Sequence, residues 1–154
     1  MAWDFSTEPE FQDKLDWVKR FCEEKIEPLD HVFPHAVRSP IPAVKAYVRE
    51  LQQEVKDQGL WAIFLDPELG GPGFGQLKLG LLNEIIGRYA GAPHMFGASA
   101  PDTGNMEMLA VFGTEEQKQR WLVPLLNQDM FSAYSMTEPQ GGSDPSLFKT
   151  HAVR

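Results

Sequence analysis

Apolar residues recur at helical spacing along most of this chain, and this periodicity constrains the fold more than any other feature. The first such stripe consists of Phe11, Leu15, Val18, Phe21, Cys22 and Ile26. A spacing of three and four residues places these side chains on one face of an α-helix. Similar stripes occupy residues 44–55, 79–89 and 121–126, and residues 105–112 form a shorter one. Successive helices joined by loops of modest length predict a mainly α protein, an antiparallel helical bundle.

Local signals predict where several of these helices begin and end. Thr7 and Glu10 form a T-x-x-E capping box ahead of the first stripe, and residues 114–117 form a second box, T-x-x-Q. Pro28 is expected to end the first helix, because proline lacks the backbone N–H that a helix interior requires. Gly59 is expected to cap the second helix.

The pattern changes near residue 129, where helical periodicity gives way to β-compatible residues. Residues 131–137 and 148–154 both alternate in the manner of a strand, with a Pro-, Gly- and Ser-containing turn between them. An isolated hairpin is only marginally stable in water. We therefore predict a helical domain over residues 1–129, followed over residues 130–154 by the first strands of an incomplete β domain.

Composition excludes several classes of function. The net charge is −8, from 14 basic and 22 acidic residues, which argues against nucleic-acid binding. The sequence contains no run of the ~18 apolar residues that a membrane span needs. The acidic N-terminus does not resemble a signal peptide, and the single cysteine, Cys22, fits a reducing compartment. These features predict a cytoplasmic protein.

Three features resemble functional sites but favour structural roles. A glycine-rich loop precedes the third helix, but its glycines do not match the G-x-G-x-x-G spacing of dinucleotide-binding loops; they are residues 70, 71, 73 and 75. His31 and His35 have a metal-like spacing only within a helix, and Pro34 between them predicts surface loop histidines and no metal site. Cys22 lies on the apolar face of the first helix and is predicted to be a core residue.

The segment T-E-P-Q-G-G-S-D is the strongest candidate for a binding site. Its backbone groups could pair with a planar heteroaromatic ring, and the hydroxyls of Thr137 and Ser143 can donate or accept hydrogen bonds. Gly141 and Gly142 allow close approach of a ligand because they lack a β-carbon. Asp144 could instead cap its own turn.

Four blocks of the chain resemble the acyl-CoA dehydrogenase family. YSMTEPQGGSD, residues 134–144, resembles the family's flavin-binding signature, and LDPELGGPGFG resembles its Pro-Glu-x-x-Gly-Gly-x-Gly loop. FGTEEQKQRWLVPLL resembles the helix that precedes the signature strand. SAPDTGNMEMLAVFGTEEQKQRW resembles a branch of the family that carries Ala-Pro-Asp-Thr-Gly-Asn-Met-Glu before that helix. The blocks occur in the family's order over nearly the whole chain.

The resemblance implies FAD as cofactor and an acyl-CoA as substrate. The residues that it assigns to the cofactor are Tyr134, Ser135, Met136, Thr137, Gly142 and Ser143. Ser143 would also donate or accept a hydrogen bond with the CoA portion, and the helices around residues 95–106 would help to line the acyl pocket. Gln140 stands where many relatives have a small residue.

The implied reaction is α,β-dehydrogenation, in which a carboxylate removes the α proton while the β hydride passes to flavin N5. The family's catalytic carboxylate falls in sequence that this chain lacks, so the catalytic residue is unknown and the chain alone is expected to be inactive. The resemblance also implies an electron-transfer flavoprotein as acceptor and a homo-oligomer. Two alternatives remain open: an acyl-CoA oxidase or flavin monooxygenase on the same scaffold, and a non-catalytic helical subunit that contributes half of a flavin site.

Overall fold

A computed structural model describes residues 6–153 of the chain. Residues 1–5 and 154, which belong to the acidic N-terminus and to the second predicted strand, lie outside the described residues. Within the described range the α-helices are α1 Pro9–Phe21, α2 Glu27–Val32, α3 Pro42–Asp57, α4 Gly75–Ile86, α5 Ala92–Met95, α6 Asp102–Phe112, α7 Glu115–Gln117 and α8 Val123–Leu126. Two π-helical turns, Cys22–Ile26 and Lys118–Leu122, join α1 to α2 and α7 to α8. None of the helices in residues 6–153 is long and apolar enough to cross a membrane.

The main core lies between α1, α3, α4 and α5, as the apolar stripes predict. Val18, Leu51 and Leu82 are fully buried in it, and Phe96 packs edge-on against Phe21 at 5.9 Å between ring centroids. Cys22 is also fully buried in this core. The predicted inward faces of the first three long helices are therefore confirmed.

A smaller apolar cluster joins α6 to the last helical turns. It consists of Met106, Ala110, Leu122 and Leu125. Trp121, which the periodicity predicts to be buried, is 37% exposed, so that expectation is wrong. Trp121 belongs to the π turn Lys118–Leu122, where the i→i+5 hydrogen-bond pattern rotates side chains away from the stripe that α-helical spacing defines.

The prediction that Pro28 ends the first helix is also wrong. Backbone N–H of Glu27 donates to the carbonyl of Cys22, which is an i→i+5 bond, and the helix then continues through Pro28 to Val32. A wider π turn separates the proline ring from the preceding carbonyls that it would meet in an α-helix. His31 consequently lies on α2 and not in a loop, although it is exposed as predicted.

One of the two predicted capping boxes is formed. Gln117 N–H donates to Thr114 Oγ1 over 3.3 Å, and Thr114 N–H donates to Gln117 Oε1 over 2.9 Å. The first helix instead begins at Pro9, with Glu8 as N-cap and no side-chain capping bond. Proline at the first helical position has no N–H to satisfy, so a box at Thr7 is unnecessary.

The predicted strands at residues 131–137 and 148–154 are not formed in the described part of the chain. The β structure among residues 6–153 consists of one isolated antiparallel bridge between Glu138 and Gly141. A strand is stabilised by a neighbouring strand, and these two segments are joined by a turn held mainly through one side chain. The described chain is thus mainly α, as predicted, with an extended segment after α8.

Candidate functional site

The turn after residue 137 is organised by Glu138. Its backbone N–H donates to the carbonyl of Gly141 over 3.2 Å, and Gly141 N–H donates back over 3.1 Å. Its carboxylate accepts hydrogen bonds from the backbone N–H groups of Lys149 and Thr150, over 2.8 and 2.9 Å, and from the Gln140 amide. Glu138 therefore connects the turn to the chain that follows it.

These hydrogen bonds favour the ionised form of the Glu138 carboxyl. Donation by the Thr150 side chain and by the backbone N–H groups of Lys149 and Thr150 lowers the pKa of the carboxyl to about 2. A general base works best when its pKa lies near the working pH. Glu138 is consequently a structural acceptor, a role that the sequence analysis missed. The only signal for it was an acidic residue immediately before a turn.

Thr137 and Gly142, both predicted cofactor residues, are brought into contact by this turn. A β-carbon added at Gly142 would lie 2.8 Å from Thr137 Cγ2 and 2.9 Å from its Oγ1. Separations this short require a shift of one residue or the other. Glycine at position 142 therefore permits the side chain of Thr137 to occupy its place in the turn.

The remaining predicted cofactor residues lie on the surface. Tyr134 and Met136 are 58% and 51% exposed, and Ser135 and Ser143 are exposed as well. Within residues 6–153 no hydrogen bond satisfies the backbone N–H and C=O groups of residues 134–137. The segment thus presents free, directional backbone groups beside large apolar side chains.

Asp144 caps its own turn, the structural alternative that the sequence left open. Its Oδ1 accepts from the backbone N–H of Ser146 over 2.9 Å and from the Ser146 hydroxyl over 2.7 Å. Both bonds, the one from the side chain foremost, lower the pKa of Asp144. This cap begins the 3₁₀ turn Pro145–Leu147.

An apolar groove of about 440 Å³ lies beside the start of the segment, between α6, the second π turn and residues 130–132. Its apolar lining includes Met108, Leu109, Phe112, Trp121, Met130 and Phe131. Of the range 95–106, which the resemblance associates with an acyl pocket, only Asn105 lines this groove, while Met95, Phe96 and Met106 are buried in the cores.

The remaining titratable candidates have structural roles. Burial, followed by the nearby charges of Asp30 and Glu23, raises the pKa of Cys22 to about 12, so this residue is not a nucleophile. His94 Nε2 lies 3.3 Å from Ser99 Oγ, but its buried Nδ1 has no partner, so the pair lacks the orienting carboxylate of a catalytic triad. Among residues 6–153 there is no group of three or more His, Cys, Asp or Glu side chains able to hold a metal ion.

Comparison with known proteins identifies the family. Residues 8–129 match the family model described as acyl-CoA dehydrogenase, N-terminal domain. The chain belongs to the acyl-CoA dehydrogenase family. It is 38% identical over 141 residues to acyl-CoA dehydrogenase family member 10 from Mus musculus, and 44% identical over 137 residues to family member 11 from Gallus gallus. These alignments include 88% and 86% of this chain, but only 13% and 17% of the relatives.

A solved structure supports the same assignment. The chain superposes with a TM-score of 0.77 and 35% identity on a protein from Mycobacterium abscessus solved under the name "putative acyl-CoA dehydrogenase". The match includes 92% of this chain and 38% of the solved chain. The resemblance in the sequence blocks is thereby confirmed, for a chain that spans well under half the length of these family members.

Proposed function

We propose that the protein containing this chain is an FAD-dependent acyl-CoA dehydrogenase and that residues 134–143 contribute one wall of its flavin site. The observation that carries the proposal is the state of residues 134–137, whose backbone groups make no hydrogen bond within residues 6–153 and whose side chains are exposed beside the turn at Gly142. A planar ring with alternating donors and acceptors can pair with such unpaired backbone N–H and C=O groups. Family membership supports the choice of flavin.

The residues present fit the isoalloxazine of FAD. Free N–H and C=O groups of 134–137 would pair with the polar edge of the ring, and the Thr137 hydroxyl would add a donor beside it. Tyr134 and Met136 would cover apolar ring surface and exclude water. When bound, the flavin would supply the hydride acceptor for oxidation of the acyl-CoA thioester.

Ser143 is proposed to hold the CoA portion of the substrate. Ser143 is exposed and follows Gly142 in the turn. A hydroxyl at this point would place the thioester end of the substrate close to the segment that binds the ring. We assign no catalytic base in this chain, because the acidic side chain nearest the ring-binding residues, Glu138, is held ionised as a hydrogen-bond acceptor with a pKa of about 2.

Anaerobic titration of the purified full-length gene product tests this function. We expect bound flavin in the oxidised state and loss of its visible absorbance on addition of saturated acyl-CoA thioesters of graded chain length. An electron-transfer flavoprotein is the proposed acceptor, and the full-length protein is proposed to be a homo-oligomer. Flavin that no acyl-CoA reduces would contradict the dehydrogenase assignment. Rapid reoxidation by oxygen would favour the oxidase alternative, and a protein that copurifies without flavin would favour the non-catalytic subunit.

A further inference from the structure

Asp102, the first residue of α6, is the only buried acidic residue among residues 6–153. It is 7% exposed, and its Oδ1 accepts two hydrogen bonds from Ser132, from the backbone N–H over 2.7 Å and from the hydroxyl over 2.6 Å. Asn105, one helical turn later, donates from Nδ2 to the same Ser132 hydroxyl over 2.7 Å. Ser132 is thus held by three hydrogen bonds at the start of α6.

The chemistry of this contact defines the conformation of Ser132. Its hydroxyl proton is directed at the carboxylate, and its oxygen accepts from Asn105, so rotation about the side chain would break two bonds. Hydrogen bonds to an ionised carboxylate are roughly twice as strong as neutral ones, and burial strengthens them further. The bond to the backbone N–H also orients the peptide that leads toward the candidate site.

Ser132 lies only two residues before Tyr134, where the ring-binding segment begins. An extended chain advances about 3.3 Å per residue, so the anchor is within about 7 Å of the first ring-binding residue. Beyond it, the contact with α6 is longer: the Tyr134 hydroxyl lies 3.9 Å from Met108 Sδ. The downstream end of the segment is held by Glu138. Residues 134–137, whose backbone groups make no hydrogen bond within residues 6–153, therefore lie between two positions at which a carboxylate holds the chain, Asp102 at Ser132 and Glu138 in the following turn.

A carboxylate at a helix N-terminus also stabilises the helix through the macrodipole. That role alone does not account for the geometry, because α6 has no side-chain capping bond and the Asp102 carboxylate is directed to a residue 30 positions later. The carboxylate joins the helix to the segment.

We propose that Asp102 is a positioning residue that acts through Ser132 to hold residues 134–137 in their flavin-binding conformation. The inference rests on the proposed function and extends it to a residue outside the flavin signature. Without the anchor, the segment would have to be ordered at the moment of binding, and this entropic cost would appear as weaker flavin affinity.

The test measures the FAD dissociation constant of the full-length apoprotein by flavin titration. We expect Asp102→Ala to weaken binding on the order of tenfold, which corresponds to about 1.4 kcal/mol. Ser132→Ala keeps the backbone bond to Asp102 and should weaken binding by less. Because both residues act through one contact, the double variant should match Asp102→Ala within about threefold. Losses that multiply in the double variant would overturn the inference.

Leu122→Ala is the matched control for stability. Leu122 packs with Met106 and Ala110 in the small apolar cluster beneath α6. It should lower the melting temperature without changing the FAD dissociation constant, whereas Asp102→Asn, which keeps an acceptor oxygen, should recover part of the affinity. If Leu122→Ala weakens FAD binding as much as Asp102→Ala does, the loss of affinity in Asp102→Ala results from lower stability of the fold, and the inference is wrong.

The two proposals fail separately. Wild-type protein that binds FAD and an Asp102→Ala variant that binds it equally well would overturn the positioning role alone. Wild-type apoprotein that binds no FAD at all would overturn both.

Discussion

The helical body of the protein and the segment after residue 129 are stabilised by different means. In the body, side chains such as Leu51 and Phe96 are fully buried in a shared apolar core. In residues 131–150 most side chains are exposed, and the backbone is held by three carboxylates, Asp102, Glu138 and Asp144, that accept from its N–H groups. A packed core confers stability, whereas a few directional anchors order a surface segment and leave its remaining groups free for a ligand.

The comparison is tested most strongly by truncating a core side chain. Leu51→Ala should lower the free energy of unfolding by about 2–5 kcal/mol, because Leu51 is fully buried and its removal leaves a cavity. Chemical denaturation measures the loss. Leu77→Ala is the control, since Leu77 is 81% exposed and its truncation should change stability by less than about 0.5 kcal/mol. Equal losses for the two variants would contradict the burial described here.

A substitution in the segment should affect binding and spare stability. Gly142→Ala would place its β-carbon 2.8 Å from Thr137 Cγ2, so Thr137 must move. We expect FAD affinity of the full-length protein to fall on the order of tenfold, with a change in the free energy of unfolding below about 0.5 kcal/mol.

Gly80→Ala is the control for that variant. Gly80 lies within α4, and an added β-carbon there has no neighbour within 4 Å. Alanine should stabilise the helix by about 0.5–1 kcal/mol and leave FAD binding unchanged. Unchanged FAD affinity in Gly142→Ala would show that the contact with Thr137 is not needed for the site.

The Glu138 anchor should respond to acid and the core should not. The pKa of this carboxyl is lowered from 4.5 to about 2 in the folded chain, so its contribution to the turn is fully present above pH 4.5 and is lost as the pH falls through about 2. The backbone amide resonances of Lys149 and Thr150 should therefore titrate with a midpoint near pH 2. Glu138→Gln should abolish this titration, and a midpoint near 4.5 in the wild-type protein would show that the hydrogen bonds are absent.

The smallest expected effect concerns the reactivity of Cys22. Burial raises the pKa of its thiol to about 12, so the thiolate is scarce at pH 8. Iodoacetamide should leave Cys22 unmodified in the native protein and alkylate it in denaturant, as mass spectrometry can show. Rapid alkylation under native conditions would mean that the core opens at α1 or that the residue is exposed.

Predictions from sequence succeeded where the controlling interactions are local. The predicted capping box at Thr114 and Gln117 spans four residues, and both of its hydrogen bonds are formed. Gly59, which is predicted to cap this helix, directly follows Gln58 at the end of α3 and has a left-handed backbone conformation with a φ of 67°. The predictions that Pro28 ends a helix and that Trp121 is buried are wrong because each residue lies in or beside a π turn. In a π turn the backbone hydrogen bond spans five residues and not four, and the spacing of apolar residues does not reveal this change.

The helical faces, the glycine at position 142 and the family can be recognised from the amino-acid sequence, because periodicity and short motifs depend on neighbouring residues. The contacts of Asp102 with Ser132 and of Glu138 with Thr150 are visible only in the folded chain. Those pairs are 30 and 12 residues apart along the chain. No local propensity encodes a hydrogen bond across such a distance. The Asp102–Ser132 bonds exist because the packed helices bring α6 beside the segment, and the Glu138–Thr150 bond exists because the intervening turn brings the chain back to Glu138.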